Sequence, residues 1–241
     1  MKRVRYALAF LTRIPVKGGT LEETAEASYV FPLIGLCVGC ASFAFSWCAH
    51  RVFPYTLAGV FTLGFLMVLT GLHHTDGLLD MGDALLVTGT REKKIDVMHD
   101  HFIGIGGFFL AFFVLLTTVF CIVEFMALNS LFVGLIGSEV SAKFSMNCIA
   151  FFGTPSHEGM GSRVIQATDR KLFLKSCLIS GIVLSVFLEV GALLFVSTLV
   201  FAYLLAVGAE RNLGGIGGDF IGAAHDTTRM MSMILLIVVM R

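Results

Sequence analysis

Three aspartates and two histidines crowd into "HHTDGLLDMGD", residues 73–83. Asp76, Asp80 and Asp83 are spaced i, i+4, i+7, which on a helix of 3.6 residues per turn puts them on one stripe about 60° wide. Three anions on one stripe repel unless a cation sits among them. Oxygen-only ligands suit a hard ion such as Mg2+, which takes one or two carboxylates, several waters and substrate phosphates. A solvated acidic face is the plainer reading of a charge cluster. Here, however, the acids are separated by Gly77, Leu78, Leu79 and Met81 and follow directly on an apolar run, where charge is costly. His73 shares the aspartate face and His74 points away in a regular helix. A distortion at Gly77 leaves open which histidine contacts a phosphate or serves as acid or base.

Two further segments carry acids beside glycine. Asp96 and Asp100 are four apart on one expected helical face, and Asp100 precedes Gly104, Gly106 and Gly107, where backbone can approach a ligand closely. Arg91, Lys93 and Lys94 stand just upstream and could grip phosphates. In "LGGIGGDFIGAAHD" (213–226), Asp219 and Asp226 are seven apart on a helix opened by glycines, whose N–H groups can meet an anion. Acidic stripes beside Gly-rich backbone suggest a metal–diphosphate site, in which cations bridge the diphosphate to protein carboxylates and neutralise charge as a P–O bond breaks. Glu139 and Lys143, four apart in an apolar run with Ser138, Ser141, Ser145 and Asn147, form either a functional pair or a lock between helices.

The elements that must position these residues are membrane helices. The chain has 241 residues, 56% of them hydrophobic and only 14% charged, against about 25% charged in soluble domains. Its mean hydropathy is +0.88. Apolar runs at 31–49, 56–73, 104–127, 130–152, 173–190, 192–209 and 222–240 each approach the roughly 20 residues needed to cross a bilayer. The expected fold is therefore all-α: one domain, residues 1–241, polytopic in the membrane, with about seven transmembrane helices. A break near Glu189 and Gly191 separates the fifth run from the sixth. The ten-residue alternation of a membrane barrel is missing. "MKRVRYALAFLTRIPV" has too short an apolar core for a signal peptide, being stopped by Arg13, and reads as an interfacial amphipathic helix with Val4, Leu8 and Leu11 on one face.

Lysine and arginine gather in the N-terminal segment and in the connections after runs two, four and six, which predicts that the N-terminus and these connections face the cytoplasm across the inner membrane. The polar stretches 71–101, 153–163 and 214–229 then share one side and can converge. A net charge of zero gives no case for a nucleic-acid partner. All six cysteines lie in apolar stretches, and the lone Cys37-x-x-Cys40 reads as two small packing residues.

Five blocks, "FLTRIPV" (10–16), "FPLIG" (31–35), "HTDGLLDMGDAL" (74–85), "MHDHFIGIGG" (98–107) and "LGGIGGDFIGA" (213–223), together resemble the cobalamin synthase family, the adenosylcobinamide-GDP ribazoletransferases, in order and spacing over nearly the whole chain. The resemblance implies an integral-membrane, Mg2+-dependent transferase. A hydroxyl of α-ribazole, or of its 5′-phosphate, attacks the cobinamide-side phosphate of adenosylcobinamide-GDP, and GMP leaves. Membrane lipid is the expected surrounding, and association of several chains stays open. Carried over position by position, the resemblance implies catalytic roles for His74, Asp76, Asp80, Asp83 and Asp100, and metal ligation by Asp76, Asp80, Asp83 and Asp219. It further implies substrate contacts by Arg13, Gly104, Gly107, Lys143 and Asp226.

The chain departs from the family where Lys-Asp-Ser-Arg is common and His99-Asp100-His101-Phe102 stands instead, so that His99 or His101 is expected to replace a basic group. It departs again where a family arginine is replaced by Lys143, which cannot make a bidentate phosphate contact. Two other classes compete. A CDP-alcohol phosphotransferase would show an Ala-Arg pair after its first aspartates, which this chain lacks. A divalent-metal transporter could use His73, His74, Asp76, His99, Asp100 and His101, but such sites lie near the bilayer midplane in broken helices.

Overall fold

A computed structural model describes residues 1–98, 100, 102–156 and 159–241. Helix α1 (Lys2–Leu11) points its basic residues outward and buries Ala7 and Leu11. Helix α2 (Leu21–Glu26) is opened by a capping box in which Thr20 and Glu23 satisfy each other's backbone N–H groups. A 3-10 turn (Ser28–Val30) leads into α3 (Phe31–Val52). There follow α4 (Tyr55–Thr70), α5 (His73–Leu86), α6 (Arg91–Met98), α7 (Ile105–Ala127), α8 (Leu131–Phe152), α9 (Met160–Ala167), α10 (Arg170–Ser185), α11 (Leu188–Leu213) and α12 (Gly218–Met240). Among the described residues there is no strand, only a single parallel bridge between Pro155 and Ile216. The all-α expectation holds.

The expected count of about seven crossings is not confirmed. Four segments are long and apolar enough to cross by themselves: Ser28–Val52, α7, α11 and α12. Helices α4 and α5 pass that test only as a pair, and they bend by 99° at Gly71, whose φ of 72° lies in the left-handed region that glycine tolerates. Helix α5 therefore does not prolong the path of α4, and at 14 residues it is not among the segments that cross by themselves. The run 173–190 corresponds to α10, whose 16 residues are short for a crossing. The break after it falls at Val186 and Phe187, a few residues before Glu189 and Gly191.

The run 130–152 is α8, which is shielded from lipid: every residue from Gly134 to Ala150 is buried. It is the central rod, and α3, α10, α11 and α12 pack around it. Small residues at Gly134, Gly137, Ser138, Ser141, Ala142 and Ser145 let those neighbours come close.

Helix α5 is wedged between α7 and α12 in the same way. A side chain at Gly77 would collide with the Asp219 carbonyl, and one at Gly82 with that of Gly106. The bare backbone at these two positions brings the acid-bearing elements together.

Candidate functional site

The two faces of α5 enter different environments. On the outer face Asp76, Asp80 and Asp83, with Leu79, line an open pocket of about 380 Å³ completed by Met98, Asp100, Phe102 and Ile103. The helical stripe expected from the spacing is present. Asp100 reaches the pocket by another route than expected: α6 stops at Met98, so Asp96 and Asp100 share no helical face. Instead an Asp100 oxygen accepts the Phe102 N–H at 3.3 Å, and both residues line the pocket. Asp219 stands in the first turn of α12, and the Gly77 contact sets its backbone against α5.

Burial pushes the Asp80 carboxyl up to about 6, and the negative charges of Asp219, Asp76 and Asp83 push the same way. A divalent cation would restore such a group to its ionised form. The oxygen-only donors, open on one side to water and phosphate, fit Mg2+.

Asp83 has a second task. Its Oδ2 accepts the Gly104 N–H at 2.7 Å and its Oδ1 the Gly107 N–H at 2.9 Å. Gly104 is the N-cap of α7 and has no side chain to cap with, so an aspartate from a neighbouring helix does it. The N–H groups of Gly104 and Gly107, expected to lie against substrate, are given to Asp83.

The inner face of α5 meets a buried ionic network. Lys143 Nζ contacts Glu139 Oε2 at 2.5 Å, and the other Glu139 oxygen accepts from Arg229 Nε at 2.5 Å. Arg229 also pairs with Asp226 Oδ1 at 3.0 Å. His225 lies between Asp226 (2.9 Å from Nδ1) and Lys143 (3.0 Å from Nε2). A carboxylate only accepts and an ammonium only donates, so these two contacts match a ring whose Nδ1 carries a proton and whose Nε2 accepts, while Arg229 stands 3.5 Å from the same Nδ1. Helix α5 joins through Thr75, whose hydroxyl donates to Asp226 Oδ2 at 3.1 Å, and through His74, whose ring lies 3.9 Å from that of His225.

Lys143 and Asp226, expected to touch substrate, are 0% and 2% exposed and serve this network instead. The reason is that charges inside an apolar bundle must find counter-ions on the next helix. His74 faces inward, as regular helical spacing predicts, while His73 is exposed. The donor atoms of His74, His225 and Asp226 lie within 4.8 Å of one another. With both His225 nitrogens engaged and two cations adjacent, this is a poorer metal site than the acid pocket.

Arg13 sits beside the α4–α5 bend. Its N–H donates to the Leu69 carbonyl at 2.8 Å, its stem lies over Gly71, and its charged end is exposed. The stretch 153–163 joins the α12 entrance as expected: Ile216 N–H donates to the Thr154 carbonyl and Ser156 N–H to the Ile216 carbonyl. His99 and His101, the expected stand-ins for a basic residue, lie outside the described residues, as do His157 and Glu158. Sequence reasoning missed the roles of Thr75, His225 and Arg229. The signal was there: a Glu139–Lys143 pair in one apolar helix demanded partners, and Asp226 and Arg229, three apart in another, carried matching charges.

The family model described as "Cobalamin-5-phosphate synthase" matches residues 3–237. The chain belongs to this family. Within the cobalamin-5-phosphate synthase family, proteins called adenosylcobinamide-GDP ribazoletransferase from Methanocella arvoryzae and Pyrococcus abyssi are each 32% identical to it. The alignments cover 95% of this chain and 93% of the first relative, and 97% of both chains for the second. A relative of the same name from Methanococcoides burtonii is 30% identical over 98% of this chain and 91% of its own. No solved structure matches.

Proposed function

We propose that this member of the cobalamin synthase family joins adenosylcobinamide-GDP to α-ribazole or its 5′-phosphate and releases GMP, using Mg2+ at the α5 acid pocket on the cytoplasmic face of the membrane. The family match and the names of its relatives support the activity. The observation that carries the site is the convergence of Asp76, Asp80, Asp83 and Asp100 on one open pocket, with Asp219 near enough to raise the Asp80 carboxyl. Lysines and arginines concentrated in the N-terminal segment and alternate connections support the cytoplasmic orientation.

Asp76, Asp80 and Asp219 would hold the ion with Asp83. Bound there, Mg2+ supplies charge neutralisation at the diphosphate. The chain's own residues do the rest. The attacking ribazole hydroxyl forms a bond to the cobinamide-side phosphorus, the bond from that phosphorus to the bridging oxygen breaks, and GMP departs with the electron pair. The hydroxyl proton needs an acceptor at the pocket rim, and Asp100 is a carboxylate in that place. Leu79, Met98, Phe102 and Ile103 give the rim an apolar surface that limits water and suits ring systems.

Purified protein incubated with adenosylcobinamide-GDP, α-ribazole and Mg2+ should release GMP. Asp76→Asn, Asp80→Asn and Asp83→Asn should each lower that rate by roughly 10²-fold or more while circular dichroism shows intact helices. Wild-type rates in all three variants would remove the acid pocket from the reaction.

A further inference from the structure

A second recess, of about 220 Å³, lies behind α5, on the far side from the acids. It opens between α7 and α11 and is floored by α12. Its walls include Met81 and Leu85 of α5, Leu110 of α7, Leu204 and Leu205 of α11, and Phe220 of α12. The polar liners Asn212 and Thr227 turn their hydrogen bonds onto their own helices: Asn212 Nδ2 donates to the Gly208 carbonyl at 2.8 Å and Thr227 Oγ1 to the Ala223 carbonyl at 2.9 Å. A recess with so little polar recognition suits neither nucleotide nor sugar. Leu85 and Leu204, at 53% and 60% exposed, mark its rim, and the open space over Gly208 continues it along α11. Helices α7, α11 and α12 are long and apolar enough to cross a membrane, which brings the rim within reach of acyl chains.

Two arginines stand near the end of the recess at Asn212 and Leu213. Arg91 donates to the Arg211 carbonyl at 3.1 Å, and its stem packs at Gly214, just past the end of α11. Arg91 and Arg211 are exposed there, and Lys93, also exposed, follows on the same short helix. The acids on these elements are Glu92, Asp96 and Glu210, and Glu210 already accepts from Thr154. An apolar slot between α5 and two membrane-crossing helices, with arginines near its end, has the chemical form of a two-part ligand.

We propose that an anionic phospholipid occupies this slot, an acyl chain lying along Met81, Leu85 and Leu204 and its phosphate meeting Arg91 and Arg211. Met81 adjoins Asp80 in sequence and Phe220 adjoins Asp219, so the lipid braces from behind the two helices that present those acids. The site does not rest on the transferase reading of the acid pocket.

The test uses full-length protein in phosphatidylcholine nanodiscs doped with phosphatidylglycerol that carries a photoreactive acyl chain. Parallel discs carry the same chain on phosphatidylcholine. Mapped adducts should fall on Leu85, Leu110 and residues 204–213 at several times the frequency seen on the outward Phe112 and Phe113. The phosphatidylglycerol probe should exceed the phosphatidylcholine probe by a similar factor. Arg91→Glu with Arg211→Glu should erase the headgroup preference, and Gly208→Leu should block labelling of the slot. Equal labelling by the two headgroups, or adducts spread evenly over the lipid-facing side chains, would overturn the proposal. The headgroup comparison is made on the unaltered chain, so it decides the matter even where a variant fails to fold.

Discussion

Asp80 serves the site at a cost to the fold. Its carboxyl stands at about 6 instead of 3.8, because burial and three neighbouring aspartates oppose its charge. Between those two values the folded chain holds a proton that the unfolded chain has released, so this group makes stability fall as pH rises through the window. In chelator the melting temperature should therefore drop from pH 5 to pH 7. Asp80→Asn should flatten that slope and raise the melting temperature at pH 7 while turnover is lost. Millimolar Mg2+ should stabilise the wild type and not the variant. An unchanged slope in the variant would mean that the carboxylates do not sense one another. The stripe of Asp76, Asp80 and Asp83 was readable from sequence because i, i+4, i+7 is a local rule. The second role of Asp83 was not, because no local rule says which backbone N–H groups another helix will leave free.

At the scale of elements, α5 is a two-faced wedge, and Asp83 joins it to the start of α7. Asp83→Ala should cost about 1–2 kcal/mol through the lost cap and speed hydrogen exchange at Gly104 and Gly107. Asp83→Asn, which keeps one carbonyl oxygen, should cost less stability yet still lose turnover. If exchange at those two amides stays at the wild-type rate in Asp83→Ala, the cap contributes nothing. Hydropathy located nearly every long helix, since apolar run length is read directly from the chain. It could not establish the number of crossings, because it sees composition and not direction. The bend at Gly71 and the short α10 both hide inside continuous apolar stretches. Burial of α8 among other helices was equally invisible, although its many small residues hinted at it.

Across the whole molecule, Glu139, Lys143, His225, Asp226 and Arg229 hold α8 to α12, and Thr75 adds α5. Removing one member of such a buried set leaves an uncompensated charge, so Glu139→Gln should cost about 3–5 kcal/mol, measurable by SDS-titrated unfolding in mixed micelles. Adding Arg229→Met to Glu139→Gln should cost much less than the sum of the two single changes. Strict additivity would mean that the two side chains act independently. Sequence exposed only the Glu139–Lys143 half of this network, since its other half lies more than 80 residues away.

The same network has an electrical consequence. Its two acids, Glu139 and Asp226, and its two bases, Lys143 and Arg229, cancel in formal charge, so with a neutral His225 tilting of α8 against α12 carries no net charge through the voltage across a bilayer. The geometry they impose on α5 should thus be the same in energised and de-energised vesicles.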